Sequence, residues 1–198
     1  MKTRIILASA SPRRRELLAL INPDFKVVPS AFDESLIPED LSPREHVMMS
    51  AAEKAKDVAS GIRKGIVIGS DTVVAVDEHI LGKPENEEDA KRMLKMLSGR
   101  THQVYTGVHV IKVENGNIQE KADFECTNVH FCELSDETIE RYVKTGEPLD
   151  KAGAYAIQGK ASVLIKGITG CYFNVVGLPI YKLSCLLKEF GVEVMSCR

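Results

Sequence analysis

The chain has 198 residues, 44% of them apolar, and a formal net charge of −2. That length buries a substantial core, as one domain or two closely apposed lobes, and nothing in it is apolar for long enough to span a membrane. The mildly acidic balance argues against a general nucleic-acid binder, and no signal-peptide pattern follows the N-terminus. Five cysteines without a C-x-x-C pair indicate reduced thiols in a cytoplasmic protein. Cys126, Cys132, Cys171, Cys185 and Cys197 read better as small apolar fillers than as zinc ligands.

Ile5-Ile6-Leu7-Ala8 is an apolar run of strand length, and Ser9-Ala10-Ser11 breaks it with small polar residues. Ser11 reads as an N-cap and Pro12 as the first helical residue, where its missing N–H costs nothing. Leu17, Leu18 and Ile21 give the helix an apolar stripe. The anomaly is Arg13-Arg14-Arg15 in the first turn, where the helix dipole is positive and each misplaced cation costs about 0.3–1 kcal/mol. Arg14 stands where a capping box would put Glu or Gln. Free N–H groups, serine hydroxyls and guanidinium forks on one spot describe a phosphate site. A solvated basic patch bent away from the helix end is the plain alternative.

Phe25 to Val28 reads as a short strand closed by Pro29, and the acidic, proline-broken stretch from Asp33 to Asp40 as loop. Ser42-Pro43-Arg44-Glu45 is a capping box opening a helix to about Gly61, with Val47, Ala51 and Val58 on one face and Lys54 at its border. The apolar runs 66–69 and 73–76 make one strand interrupted by Ser70-Asp71-Thr72. A turn at 77–79 leads to Ile80-Leu81 and Gly82-Lys83-Pro84. Asn86 caps a helix with Glu87, Glu88 and Asp89 in its first turn, the ordinary charge pattern, and Gly99 past its end. Residues 104–113 and 118–131 form a hairpin about Asn115-Gly116. Ser135 caps a helix with Ile139, Tyr142 and Val143 inward and Gly146 as its stop. The region from Asp150 to Gly177 reads as short strands and loops. Pro179 starts a last helix with Ile180, Leu183, Leu187 and Phe190 on one face. The whole is a mixed α/β protein.

Asp71, between runs of valine and isoleucine, has to be hydrogen-bonded, metal-bound or perturbed in pKa, unless it makes an Asx-type turn between two separate strands. Glu34, Lys54 and Lys83 each have an ordinary reading alone: a solvated carboxylate, a snorkelling lysine and a turn lysine. Together with the arginines they supply what phosphate-ester hydrolysis needs. Carboxylates hold Mg²⁺ and activate water, and cations neutralise a polyphosphate. No Walker A loop and no G-x-G-x-x-G fingerprint is present. The histidines have no metal spacing and read as surface or half-buried side chains.

A set of segments in this order resembles the Maf family of nucleoside triphosphate pyrophosphatases over nearly the whole chain. They are Leu7-Ala8-Ser9-Ala10-Ser11-Pro12-Arg13-Arg14, Glu53-Lys54-Ala55, Gly69-Ser70-Asp71-Thr72 and Gly82-Lys83-Pro84. They continue with Leu97 to His102, Glu147 to Tyr155, Gln158-Gly159 and Val176-Gly177-Leu178-Pro179. The resemblance implies a single domain over 1–198 with the fold of inosine triphosphate pyrophosphatases: an elongated mixed sheet with flanking helices and two lobes around a cleft. It also implies a cytoplasmic homodimer that hydrolyses a nucleoside triphosphate to monophosphate and pyrophosphate with a divalent metal, Mg²⁺ or Mn²⁺. On that pattern Asp71 is the base, and Glu34 and Asp71 hold the metal. Ser9, Arg13, Lys54 and Lys83 bind the triphosphate, and Arg14, Thr72 and Gln158 match the dTTP- and UTP-preferring branch. Ala156 departs from the glycine common before Ile-Gln-Gly. The rival readings are the same chemistry on 7-methyl-GTP or a modified nucleotide, a nucleotide-binding regulator of cell division, and an Arg-rich nucleic-acid binder.

Overall fold

The computed structural model describes residues 4–194. Along the chain run β1 (Ile5–Leu7), α1 (Pro12–Ile21), β2 (Phe25–Val27), α2 (Pro43–Ser60), β3 (Lys64–Val76), β4 (His79–Leu81) and α3 (Glu87–Leu97). Then follow β5 (Thr101–Glu114), β6 (Asn117–Phe131), α4 (Asp136–Val143), β7 (Ile165–Thr169), α5 (Tyr172–Val176) and α6 (Ile180–Glu189). The seven strands form one mixed sheet in the order β2-β1-β3-β5-β6-β7, with β4 also pairing β3. β1 is parallel to both β2 and β3, whereas β4 on β3 and β7 on β6 are antiparallel.

The chain divides into two compact units. One comprises Met1–Asp71, Thr106–Glu125 and Gly177–Arg198, and the other Thr72–Tyr105 and Cys126–Val176. Each has its own apolar core. In the first, Ile6, Ala8 and Val67 of the sheet pack with Ala55 and Val58 of α2 and Ile111 of β5. In the second, Val74, Val104 and Phe131 pack with Leu94 and Leu97 of α3, Ile139 of α4 and Tyr155.

Local chemistry explains most boundaries. Ser42 and Glu45 form the reciprocal capping box of α2. Asn86 accepts the Asp89 N–H at the start of α3, whose first turn carries Glu87, Glu88 and Asp89. Asn115 and Gly116 have φ of 51° and 85°, the left-handed pair that a two-residue hairpin turn requires.

Four expectations change. The acidic loop contains a 3₁₀ turn, Glu34–Leu36, because the Asp33 carboxylate accepts the Ser35 N–H and caps it. The region 150–177 is mostly 3₁₀ turns (Ala152–Ala154 and Lys160–Leu164) and the short α5, with β7 its one strand. His102 and His109 are buried rather than surface or half-buried, His102 fully, since β5 turns it into the second core against Phe131 and Tyr155. Among the described cysteines none is a buried filler: Cys126, Cys132 and Cys171 are half-buried and Cys185 is exposed, while Cys197 lies outside the described residues. Among the described residues no helix is long and apolar enough to cross a membrane.

Candidate active site

The turn from β1 into α1 is built by two serines. Ser11 caps the helix by accepting the Arg14 N–H at 3.4 Å. Ser9, largely buried at the end of β1, accepts the Ser11 N–H at 3.2 Å and Arg14 Nη1 at 3.4 Å. Arg14 Nε donates to the Gly177 carbonyl at 2.9 Å, and that carbonyl also takes the Ser70 hydroxyl at 3.5 Å. The guanidinium is therefore folded back across its own helix start and held by Ser9 and by the distant Gly177 carbonyl. Burial pulls its pKa below the ordinary arginine value, while the charges of Asp71 and Glu34 oppose that and Arg13 adds to it. The side chain of half-buried Arg13 makes no hydrogen bond or ion pair among the described residues, and Arg15 is exposed.

β3 runs unbroken from Lys64 to Val76, which places Asp71 inside a strand and removes the Asx-turn alternative. Its carboxylate is only 7% exposed. A charge there needs a partner, and α2 supplies it. Gly69 and Asp71 share a face of the strand, since side chains alternate. A Cβ on Gly69 would lie 2.2 Å from the Ala51 carbonyl and 2.8 Å from Ala55, so only glycine lets α2 come this close. With the backbones in contact, Lys54 of α2 reaches Asp71 Oδ1 at 2.7 Å and Glu34 Oε1 at 2.8 Å. Lys54 is itself buried, not snorkelling at the helix border. Its burial follows from that close approach, which helical periodicity does not register.

Two turns before Lys54 on α2, His46 Nε2 lies 3.9 Å from Asp71 Oδ2. Between them Ser50 is wholly buried, with no hydrogen-bond partner for its hydroxyl. The spacing 46, 50, 54 puts all three on one helix stripe. Burial alone would raise the Asp71 pKa, but Lys54, then Arg14, and also His46 outweigh it, so the carboxyl sits below its ordinary value. Asp71 is thus held in its ionised form by the Lys54 and Arg14 charges close by.

Ser9, Arg14, Glu34, Lys54 and Asp71 therefore meet in the first unit, with Arg13 on the same helix turn. The remaining sequence candidates belong to the second unit. Thr72 follows Asp71 in β3 and is half-buried, Lys83 is exposed after β4, and Gln158 is exposed in the turn 157–159. His46, Gly69 and Gly177 were not anticipated in these roles. His46 is findable from the pattern, as the residue two turns along the Lys54 stripe, but the Gly177 carbonyl carries no side-chain signal.

No group of three or more His, Cys, Asp or Glu able to hold a metal occurs among the described residues. Glu34 and Asp71 nevertheless accept from the same ammonium, at 2.8 and 2.7 Å, so one oxygen of each faces a single cationic point. Two carboxylates suit a hard divalent ion that takes its other ligands from phosphate and water. The donor set fits Mg²⁺ or Mn²⁺.

A family model described as Maf-like protein matches residues 4–190. A dTTP/UTP pyrophosphatase of Clostridium botulinum (strain Kyoto / Type A2) is 50% identical over 96% of this chain and 98% of that protein. Another of that name, from Clostridium acetobutylicum, is 50% identical over 96% of this chain and all 100% of its own. Among solved structures, the Ham1 protein of Staphylococcus aureus is 17% identical with a TM-score of 0.49, over 95% of this chain and 100% of that one.

Proposed function

The chain belongs to the Maf-like family, and from that premise we propose that it is a nucleoside triphosphate pyrophosphatase, hydrolysing dTTP and UTP to the monophosphate and pyrophosphate. The observation that supports this chemistry best is Asp71: a carboxylate taken out of water yet kept ionised by Lys54 and Arg14. The activity named for the half-identical relatives supplies the substrate.

In this reading Ser9, Arg13 and Lys54 bind the triphosphate, and Arg14, held between Ser9 and Gly177, sets the shape of the turn around it. Glu34 and Asp71 hold the divalent ion, which when bound withdraws charge from the phosphate oxygens. Asp71 accepts a hydrogen bond from the attacking water. The water oxygen bonds to the α-phosphorus, the bridge between the α- and β-phosphates breaks, and pyrophosphate leaves with those electrons. A carboxylate whose pKa is depressed is a weak base. Asp71 therefore aims the water and takes its proton only as the new bond forms, which suits the loose transition state of phosphoryl transfer. The family pattern alone assigns Lys83 to phosphate and Thr72 and Gln158 to the base edge. Gln both donates and accepts, as the O4/N3 edge of uracil or thymine requires. A single domain, a homodimer and a cytoplasmic location belong to the same proposal.

The test is a panel of dTTP, UTP, 7-methyl-GTP and the common purine triphosphates, with and without Mg²⁺ or Mn²⁺, scored for pyrophosphate release. Metal-dependent release from dTTP and UTP above all others is expected. Preference for 7-methyl-GTP would move the chain to the other branch of the chemistry, and release of phosphate in place of pyrophosphate would overturn the reading.

A further inference from the structure

The second unit contains a carboxylate for which the chemistry above has no use. Glu147, at the start of the 3₁₀ turn Glu147–Asp150, is half-buried and reaches under the segment that carries Gln158. Its Oε1 accepts the Tyr142 hydroxyl at 2.9 Å and the Ala161 N–H at 3.3 Å, and its Oε2 accepts the Lys160 N–H at 2.9 Å. A Cβ on Gly159 would lie 2.4 Å from both carboxylate oxygens, so a larger residue next to Gln158 would push the Glu147 carboxylate out of these hydrogen bonds. Burial alone would raise the Glu147 pKa, but the Lys160 N–H, the Tyr142 hydroxyl and the Ala161 N–H outweigh it, and the carboxyl stays below its ordinary value.

The same segment is held at its other end. Tyr155 is buried, and its hydroxyl pairs with His102 Nε2 at 2.8 Å. Burial, with His130 nearby, lowers the His102 pKa to about 4, so the ring is neutral and its Nδ1 has no partner. Between these anchors Ile157 packs on the second core, and the Gly159 N–H closes the turn on the Ala156 carbonyl at 2.9 Å. Gln158 is exposed, and no hydrogen bond of its own occurs among the described residues. Nothing but its backbone aims its side chain, and the backbone is fixed three residues before it and two after.

We infer that Glu147 is a positioning residue for base selection: its carboxylate holds the 157–161 turn and so fixes the backbone point from which the Gln158 amide reaches, with the Tyr155–His102 pair as the second anchor. This rests on the reading of Gln158 as the group that meets the base. A hydrogen-bonding edge discriminates only when it meets the base in register, and the anchored backbone sets where the Gln158 amide can reach. Neither Glu147 nor the Tyr155–His102 pair is among the groups assigned above to phosphate.

The experiment is a cycle of Glu147→Gln, Gln158→Ala and the double variant, comparing kcat/KM for dTTP and UTP with that for a purine triphosphate. Glu147→Gln keeps the volume but offers one acceptor oxygen to three donors. It should lower kcat/KM for dTTP and UTP about tenfold, mainly through KM, with less than a twofold change for the purine substrate. In the Gln158→Ala background the same change should have almost no further effect on the ratio. Tyr155→Phe, which keeps the ring and removes only the hydroxyl, should move the ratio in the same direction. An equal fall for every triphosphate, or effects that multiply in the double variant, would overturn the inference while leaving Gln158 as the base reader. A Gln158→Ala protein with wild-type discrimination would overturn both.

Discussion

Asp71 and Glu147 are both carboxylates drawn out of water, one in each unit, and both sit below their ordinary pKa, but by opposite means. Asp71 is balanced by charge: Lys54 at 2.7 Å, Arg14 and, more distantly, His46. Glu147 is balanced by neutral donors, one hydroxyl and two backbone N–H groups. Side-chain cations can turn to an arriving phosphate, and an arriving metal can replace them at the carboxylate, so the charge-balanced carboxylate can change partners within a reaction cycle. Backbone dipoles cannot leave, so the other carboxylate holds a shape. On the proposed reading, the difference separates a group that reacts from one that positions, although the pKa of both shifts in the same direction.

Removing the balancing cation should break the comparison most severely. Lys54→Met leaves Asp71 buried and without its closest cation, and should cost about 3–5 kcal/mol of stability, the usual penalty for breaking a buried pair. Adding Asp71→Asn should restore most of that loss while activity stays absent. Denaturant unfolding of the two proteins reads both. If Lys54→Met alone were as stable as the parent, charge balance would not be what Asp71 needs.

Acid should act on both carboxylates together. Each has a folded pKa below the ordinary 3.8 for Asp and 4.5 for Glu. Each therefore favours the folded state above its unfolded pKa and loses that contribution as pH falls through the folded one. Stability should decline progressively below about pH 4.5. Unfolding titrations should show a shallower acid slope in Asp71→Asn and in Glu147→Gln, each over its own part of that range. An unchanged slope in both would mean that other groups carry the acid sensitivity.

The smallest stability effect is expected at the α1 start, and its sign is the informative part. Arg13→Ala removes a cation from a positive helix end and should leave stability unchanged or raised by about 0.3–1 kcal/mol, while activity falls. Arg15→Ala should change activity less. A lowered melting temperature with full activity in Arg13→Ala would make that arginine structural.

Much of this was legible in the chain because it breaks local rules. The three arginines of α1 stand out beside α3, whose first turn carries the acids that a helix start favours. Asp71 stands out because β3 is otherwise apolar on both sides of it. The hairpin turn and the α2 capping box follow from a few adjacent residues, and so their positions were readable. What was not readable depends on contacts between distant segments. That Lys54 is buried follows from the backbone contact at Gly69, and that Gly177 matters follows from its carbonyl. Glycines from 150 to 177 marked breaks without saying that the pieces between them would be 3₁₀ turns. Glu147 was part of a recognisable motif, yet its role appears only once the turn that it supports is seen.

The central claim is that Asp71 is a reacting group and not merely the partner of Lys54, and Asp71→Asn tests it most directly. The amide keeps the shape and can still accept from Lys54, but it aims water poorly, takes no proton and binds a divalent ion weakly. Pyrophosphate release from dTTP should be measured at saturating metal, on protein whose thermal unfolding matches the parent. Loss of nearly all turnover in a folded variant is the expected result. A folded Asp71→Asn protein that turns over dTTP at close to the parent rate would contradict the account.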